Sequence, residues 1–246
     1  IKYVFHHCRV VINYHMPIAE VKCMVINDLD RPDETLLNNL ESISPNDVGH
    51  HLHFGFPCAD ISYMETGSSG PLSVVGPALT VRIPPEDSTM VHKATEVAQE
   101  GDIIVVDMQG HTEHAPWGEI TTRGAMSSGA SGAVIDGSIT DSHDISELNF
   151  PIFARGKSAR TTRLHGRGGD INVPIQVGGT VVDPGDIVLM NEDGILFVPP
   201  EEAEAAIQYG QEAIEEESKV LSQIEAGKSI ADISTANNLI EQMESE

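Results

Sequence analysis

Residues 117–141 read WGEITTRGAMSSGASGAVIDGSITD, and they contain a complete helix, turn and strand. Gly118 and Glu119 open a helical stretch over residues 119–128, and Gly129 stops it, because glycine readily takes the positive φ that ends a helix. The next apolar run, AVID at 133–136, is short and β-branched, as expected of a buried strand that ends at Asp136-Gly137. Working outward, IIVVD at 103–107 is a second such strand, and Phe150 to Ala154 is a third. A helix over 89–99, with Val91, Ala94, Thr95 and Ala98 on one face, precedes the first of these strands. Before it, residues 72–83 read as a strand broken at Gly76-Pro77. Strands alternating with helices through short turns predict an α/β fold, a parallel or mixed sheet covered by helices.

The flanks are different in kind. Residues 1–23 carry no signal-peptide pattern and are expected to be an extension outside the core. Residues 32–53 read as helical, with a fresh start at Ser44 (cap) and Pro45 (first position). Past residue 170 the chain is β-rich, with runs at 173–177, 180–182, 187–190 and 195–198. Pro184-Gly185-Asp186 fits a type II turn and Asp193-Gly194 a hairpin. Beyond Pro199-Pro200 a helix is predicted to about Ala226, with a break at Gly227 and a shorter helix to Met243. The expected organisation is therefore an extension (1–23), an α/β domain (24–200) and acidic C-terminal helices (201–246).

Composition narrows the function. Fourteen Lys and Arg against 38 Asp and Glu give a net charge of −24, which argues against nucleic acid or an anionic membrane as partner. It leaves room for a basic protein partner. No apolar run is long enough for a membrane span, and three cysteines without C-x-x-C spacing suggest neither a disulfide framework nor a zinc knuckle. A cytoplasmic protein is expected. Arg155, Lys157, Arg160, Arg163 and Arg167 concentrate five cations in thirteen positions without an acid among them. They serve either to neutralise acidic neighbours or to bind an anionic substrate.

The chemistry points to the helix that starts at Gly118. Its first backbone N–H groups lack intrahelical acceptors and carry the positive end of the dipole, so they form a seat for a carboxylate. Gly118 lets a ligand approach the backbone closely. Asp141, in the loop after the next strand, lies at the same carboxyl edge of the sheet, where α/β proteins bind ligands. Asp136 and Asp141 could equally cap turns.

These residues carry a family resemblance. Gly118-Glu119-Ile120-Thr121, Gly129, Gly132 and Asp136-Gly137-Ser138-Ile139-Thr140-Asp141 resemble the G-E-L-L … G-x-x-G … D-G-x-x-R-D pattern of the RraA-like family. Gly76-Pro77-Ala78-Leu79-Thr80-Val81, the strand at 101–107, Pro151-Ile152-Phe153-Ala154-Arg155-Gly156, Asn172-Val173-Pro174, Gly178-Gly179, Pro184-Gly185-Asp186 and Asp193-Gly194 continue it, over roughly residues 30–210. The resemblance implies a β/β/α sandwich of the swivelling-domain type, assembled as a trimer or hexamer. It also implies one of two functions. The first is a class II aldolase or decarboxylase that acts on a 2-oxo acid with Mg²⁺ or Mn²⁺ and releases pyruvate through a metal-stabilised enolate. The second is a non-catalytic regulatory or protein-binding module.

In the enzymes of this family the site residues would be Gly118, Glu119, Ile120 and Thr121. The amides of Ile120 and Thr121 would contact substrate, and Glu119 would hold a catalytic water. Asp141 would be both catalytic and the metal ligand. Position 140 would contact substrate, and a glutamate from a neighbouring subunit (Glu215, Glu216 or Glu217) would complete the site. One departure stands out: Thr140 occupies the place of the family's arginine. Losing one charged stabiliser costs on the order of 3 kcal/mol, or ~100-fold in rate. Arg123 and the 155–167 cluster are the cations available to replace it. Among the histidines, His111 and His114 with Asp107 are a candidate zinc set, His50, His51 and His53 a weaker one, and His143 a candidate proton shuttle. Gly166-Arg167-Gly168-Gly169 follows no strand and reads as a flexible turn.

Overall fold

The computed structural model describes residues 24–64 and 71–245; the extension expected at residues 1–23 lies outside them. Four parallel strands form the centre: β3 (Val74–Arg82), β4 (Ile103–Asp107), β5 (Gly132–Ile139) and β6 (Ile152–Lys157). On one side β3 pairs antiparallel with β7 (Gly169–Ile171), which pairs in parallel with β1 (Met24–Ile26). On the other, β6 is edged by the antiparallel β2 (Ser62–Tyr63). A hairpin, β10 (Ile187–Asn191) and β11 (Gly194–Val198), joins the first half of β3, and β8 (Ile175–Val177) pairs with β9 (Thr180–Val182) in a separate two-stranded sheet.

Three apolar cores follow from alternation along these strands. Leu79, Ile104, Val106, Ile135 and Ile139 face α3 (Thr89–Val97), α4 (Glu119–Ser127) and α5 (Ser142–Glu147). Ala78, Ile103, Val105 and Val134 face the other way, onto Val177, Val182, Val188 and Phe197. The outer side of the β10–β11 ribbon carries Ile187, Leu189, Leu196 and Val198, and buries them against Leu40 of α1 (Glu34–Leu40), Val48 of α2 (Pro45–Gly49) and Ala203 and Ala206 of α6 (Ala203–Glu225). Sheet, ribbon and helices make the expected β/β/α sandwich, backed by a further helical layer of α3, α4 and α5.

Several local expectations are corrected. The strand at 72–83 is not broken at Gly76-Pro77; it changes partner there, pairing with β10 up to Pro77 and with β4 from Ala78. Gly76 is required because a Cβ would lie 2.1 Å from the Gly101 carbonyl oxygen. The strand after Gly129 does not end at Asp136; a bulge between Ile135 and Ser138 carries it on to Ile139. The type II turn is present, with Gly185 at φ +90° and the Asp186 amide donating to Asp183 O at 3.1 Å. The hairpin loop is Glu192 and Asp193, one residue earlier than expected, because the Asn191 side chain accepts from the amides of Asp193 and Gly194. After Gly227 there are two short helices, α7 (Ile230–Ile233) and α8 (Ala236–Glu244), divided at Thr235, which has φ +63°. The glycine-rich loop before β7 is pinned rather than free: the buried Asp87 carboxylate accepts from the amides of His165 and Arg167.

Candidate functional site

The end of β5 and the start of α4 are tied together through their backbones. Trp117 bridges Ile139, and the Thr140 amide donates to Trp117 O at 2.9 Å. Trp117 is fully buried, and its indole N–H donates to Thr122 Oγ1 at 2.8 Å, so the anchor is fixed from inside the helix it precedes. Thr121 Oγ1 accepts from the Gly118 amide at 2.8 Å and closes the first turn. These contacts hold the helix N-terminus against the 140–141 corner.

Asp141 occupies that corner with φ +52°, a left-handed conformation that Asp adopts more readily than most non-glycine residues because its short side chain can bond locally. Its side chain does not cap its own helix, α5. It crosses to α4, where Oδ2 accepts from the Glu119 amide at 3.2 Å, while Oδ1 accepts from the Thr140 hydroxyl at 3.3 Å. Gly118 faces this carboxylate directly. A Cβ there would lie 2.5 Å from Asp141 Oδ2 and 2.8 Å from the Thr140 methyl. The close approach that glycine permits is thus made by the protein's own side chains. The next two amides, of Ile120 and Thr121, have no acceptor among the described residues. Glu119 turns along the helix to Arg123, Oε1 to Nε 2.8 Å. Gly118, Glu119, Ile120, Thr121, Thr140 and Asp141 therefore converge, with Arg123 at their edge.

Other candidates lie elsewhere. Asp136 is buried in β5, bonded to the Arg155 guanidinium and to the Gly178 amide at 3.3 Å, on the opposite face of the sheet from Ile139. It belongs to a row that sequence reasoning missed, Arg82, Asp107, Asp136 and Arg155, one from each central strand. Burial raises the Asp107 carboxyl above its ordinary range against the pull of the Gln109 and Gln176 amides, and Asp136 pushes it further. The signal was available: each of these polar residues ends or interrupts an apolar strand. Arg155 is committed to Asp136 and Asp60, Arg160 to Glu113 and Arg167 to Glu86, so these three act as neutralisers of acids.

The histidines likewise separate. His111 Nε2 and His114 Nδ1 are 2.9 Å apart and bond to each other; no group of three His, Cys, Asp or Glu positioned for a metal occurs among the described residues. His51 stacks on Tyr209, their ring centroids 5.1 Å apart. His143 is exposed on α5, and Glu215 pairs with Lys219 along α6.

Residues 53–197, more than half of the chain, match the RraA-like family (Aldolase/RraA). This chain belongs to the RraA-like family. A Halalkalibacterium halodurans protein, named a candidate 4-hydroxy-4-methyl-2-oxoglutarate aldolase, is 39% identical over 135 residues, 55% of this chain and 64% of its own length. The chain therefore spans less than two thirds of that relative. A Thermus thermophilus protein named 4-hydroxy-4-methyl-2-oxoglutarate aldolase is 31% identical over 46% of this chain and 69% of its own. Among solved structures, Streptomyces coelicolor RraAS2, described as an unusual member of the RNase ES inhibitor RraA protein family, superposes with a TM-score of 0.67 at 26% identity. That match covers 78% of this chain and 99% of the other. No helix of the described residues in this RraA-like chain is long and apolar enough to cross a membrane.

Proposed function

We propose that this chain is a divalent-metal-dependent carbon–carbon lyase that acts on a 2-oxo acid and releases pyruvate. The observation that carries the reading is the Asp141 carboxylate, held in a left-handed corner on the Glu119 amide, next to the Ile120 and Thr121 amides, which have no acceptor among the described residues. The donors suit a hard ion. Asp141 offers one carboxylate, the Thr140 hydroxyl lies beside it, and the remaining positions would fall to water and substrate, the habit of Mg²⁺ and Mn²⁺. Such an ion, when bound, supplies Lewis acidity at the 2-oxo oxygen.

The chain's own residues account for the rest. The Ile120 and Thr121 amides receive the substrate carboxylate at the positive end of α4. Gly118 leaves space beside them for the Asp141 carboxylate. Glu119, oriented by Arg123, holds the water that takes a proton from the distal hydroxyl oxygen, so that the carbon–carbon bond breaks and the pyruvate half leaves as its enolate. In decarboxylation of oxaloacetate, loss of CO₂ yields the same enolate without that proton transfer. Thr140 brings no charge to this step; Arg123 is the cation at the edge of the site.

A second reading is favoured by two observations: Thr140 in place of arginine, and the likeness to a member of the RNase ES inhibitor family. In it the site is kept but chemically silent, and the acidic surface binds a basic protein. Pyruvate release from oxaloacetate and from 4-hydroxy-4-methyl-2-oxoglutarate, with Mg²⁺ or EDTA, tests the two. The lyase reading expects metal-dependent release that Asp141→Ala abolishes, and a rise of ~10- to 100-fold on Thr140→Arg. No release by the wild type or by Thr140→Arg overturns it in favour of the second.

A further inference from the structure

A cavity of about 530 Å³ lies between β2, α5 and the end of β6, lined by Tyr63, Met64, Ser142, His143, Ser146 and Lys157. That is room for a small-molecule group. It adjoins the candidate site through the chain itself. Ser142 follows Asp141, and Lys157 is the parallel-strand partner of Ile139, one residue before Thr140. Partners in parallel strands present their side chains to the same face, and Ile139 belongs to the face packed by α5.

Among the described residues three cations, Lys157, Arg163 and Lys228, bond no carboxylate, and of these Lys157 lines the cavity. Arg31, Arg82, Arg123, Arg155, Arg160 and Arg167 each bond a carboxylate, whereas Lys157 bonds none among the described residues. A cation with no carboxylate partner among the described residues, on the wall of a cavity, is suited to an anion from outside the chain. Two of the other polar walls can also donate: the hydroxyl of Ser142 and the imidazole of His143. Ser146 Oγ donates its proton to His143 O at 2.6 Å, and His143 Nε2 stands 3.9 Å from Glu147.

We infer that this cavity receives the distal acid group of a two-carboxylate 2-oxo acid, with Lys157 as its charge partner and Ser142 and His143 as supporting donors. This rests on the reading of Asp141 and the α4 amides as the seat of the 2-oxo end. The substrate then runs from α4 across the Thr140 corner to β6. Selectivity follows, because a neutral tail would cover Lys157 without bonding it.

The test is calorimetric binding of 2-oxoglutarate and of 2-oxopentanoate, which replaces the distal carboxylate with a methyl group, to the full chain with Mg²⁺. The wild type is expected to prefer 2-oxoglutarate about tenfold, the worth of one partly exposed charged hydrogen bond. Lys157→Met is expected to erase that preference and Lys157→Arg to restore it, while Asp141→Ala loses both ligands. A preference that survives Lys157→Met overturns the cavity assignment and leaves the Asp141 reading standing. If the wild type binds neither acid, the Asp141 reading fails, and this inference falls with it.

Discussion

Gly118 is the residue on which the candidate site turns, and its role is steric. Its φ of −152° is extended backbone open to any side chain, so conformational freedom is not the reason for glycine. The reason is the 2.5 Å that would separate a Cβ from Asp141 Oδ2. Gly118→Ala must push the 140–141 corner away from α4, at a cost of about 1–3 kcal/mol in stability by overpacking. If the lyase reading holds, the displaced carboxylate also lowers pyruvate release by ~100-fold, as an error of about 1 Å in placement can. Urea unfolding and the pyruvate assay measure the two effects on the same preparation. Loss of stability with full activity would place the chemistry away from Asp141. The sequence made Gly118, Glu119 and Asp141 visible because turn and helix-start chemistry is local. It did not reveal that Asp141 reaches across 22 positions to the Glu119 amide, since that contact depends on the β5 bulge and the Trp117–Ile139 bridge.

At the scale of elements, the strands and helices were largely legible, because apolar periodicity and capping residues act within a few positions. IIVVD forms β4 at its expected residues, and Ser44 caps α2 with the reciprocal Ser44–Asp47 bonds that such a start favours. What failed were features fixed by distant partners: β3 continuing through Gly76-Pro77 on its way from one partner to another, and the glycine loop at 166–169 held by Asp87. That loop yields a pH prediction. Burial alone would raise the Asp87 carboxyl, but the Thr89 hydroxyl and the Arg167, Thr89 and His165 amides outweigh it, lowering it from 3.8 to about 2. A depressed carboxyl stabilises the fold above its unfolded value and loses that contribution as pH falls through the folded one. Asp87→Asn should therefore cost about 2 kcal/mol near pH 7, with the gap closing between about pH 4 and pH 2. Paired urea titrations of wild type and variant across that range measure it. A gap that does not change with pH would mean that the loop is held by shape rather than by charge.

For the molecule as a whole, the dominant quantity is the charge of −24, and its distribution is uneven. Residues 201–246 contain twelve acids, with Lys219 and Lys228 the only cations among them. The first turns of α6 are secured by small residues. Ala203, Ala206, Gly210 and Ala213 are buried, and a Cβ on Gly210 would lie 2.4 Å from the Ile43 side chain of the α1–α2 corner. Beyond Ala213 the helix leaves the body, and α7 and α8 bury no residue. The far end of this segment therefore adds negative charge without adding core. Self-repulsion of that kind destabilises the compact state and is screened by salt, with a Debye length of about 30 Å at 0.01 M and about 3 Å at 1 M. The melting temperature should accordingly rise as sodium chloride is raised across that interval. Deleting residues 229–246 removes four acids and no cation, so it should flatten the salt dependence. It should also change unfolding free energy at high salt by no more than about 0.5 kcal/mol, the range of surface changes that touch no core. Thermal melts of the full and shortened chains at both salt levels test this. A large loss of stability at high salt would mean that α7 and α8 pack against something, and a second copy of the chain would then be the first partner to look for by sedimentation.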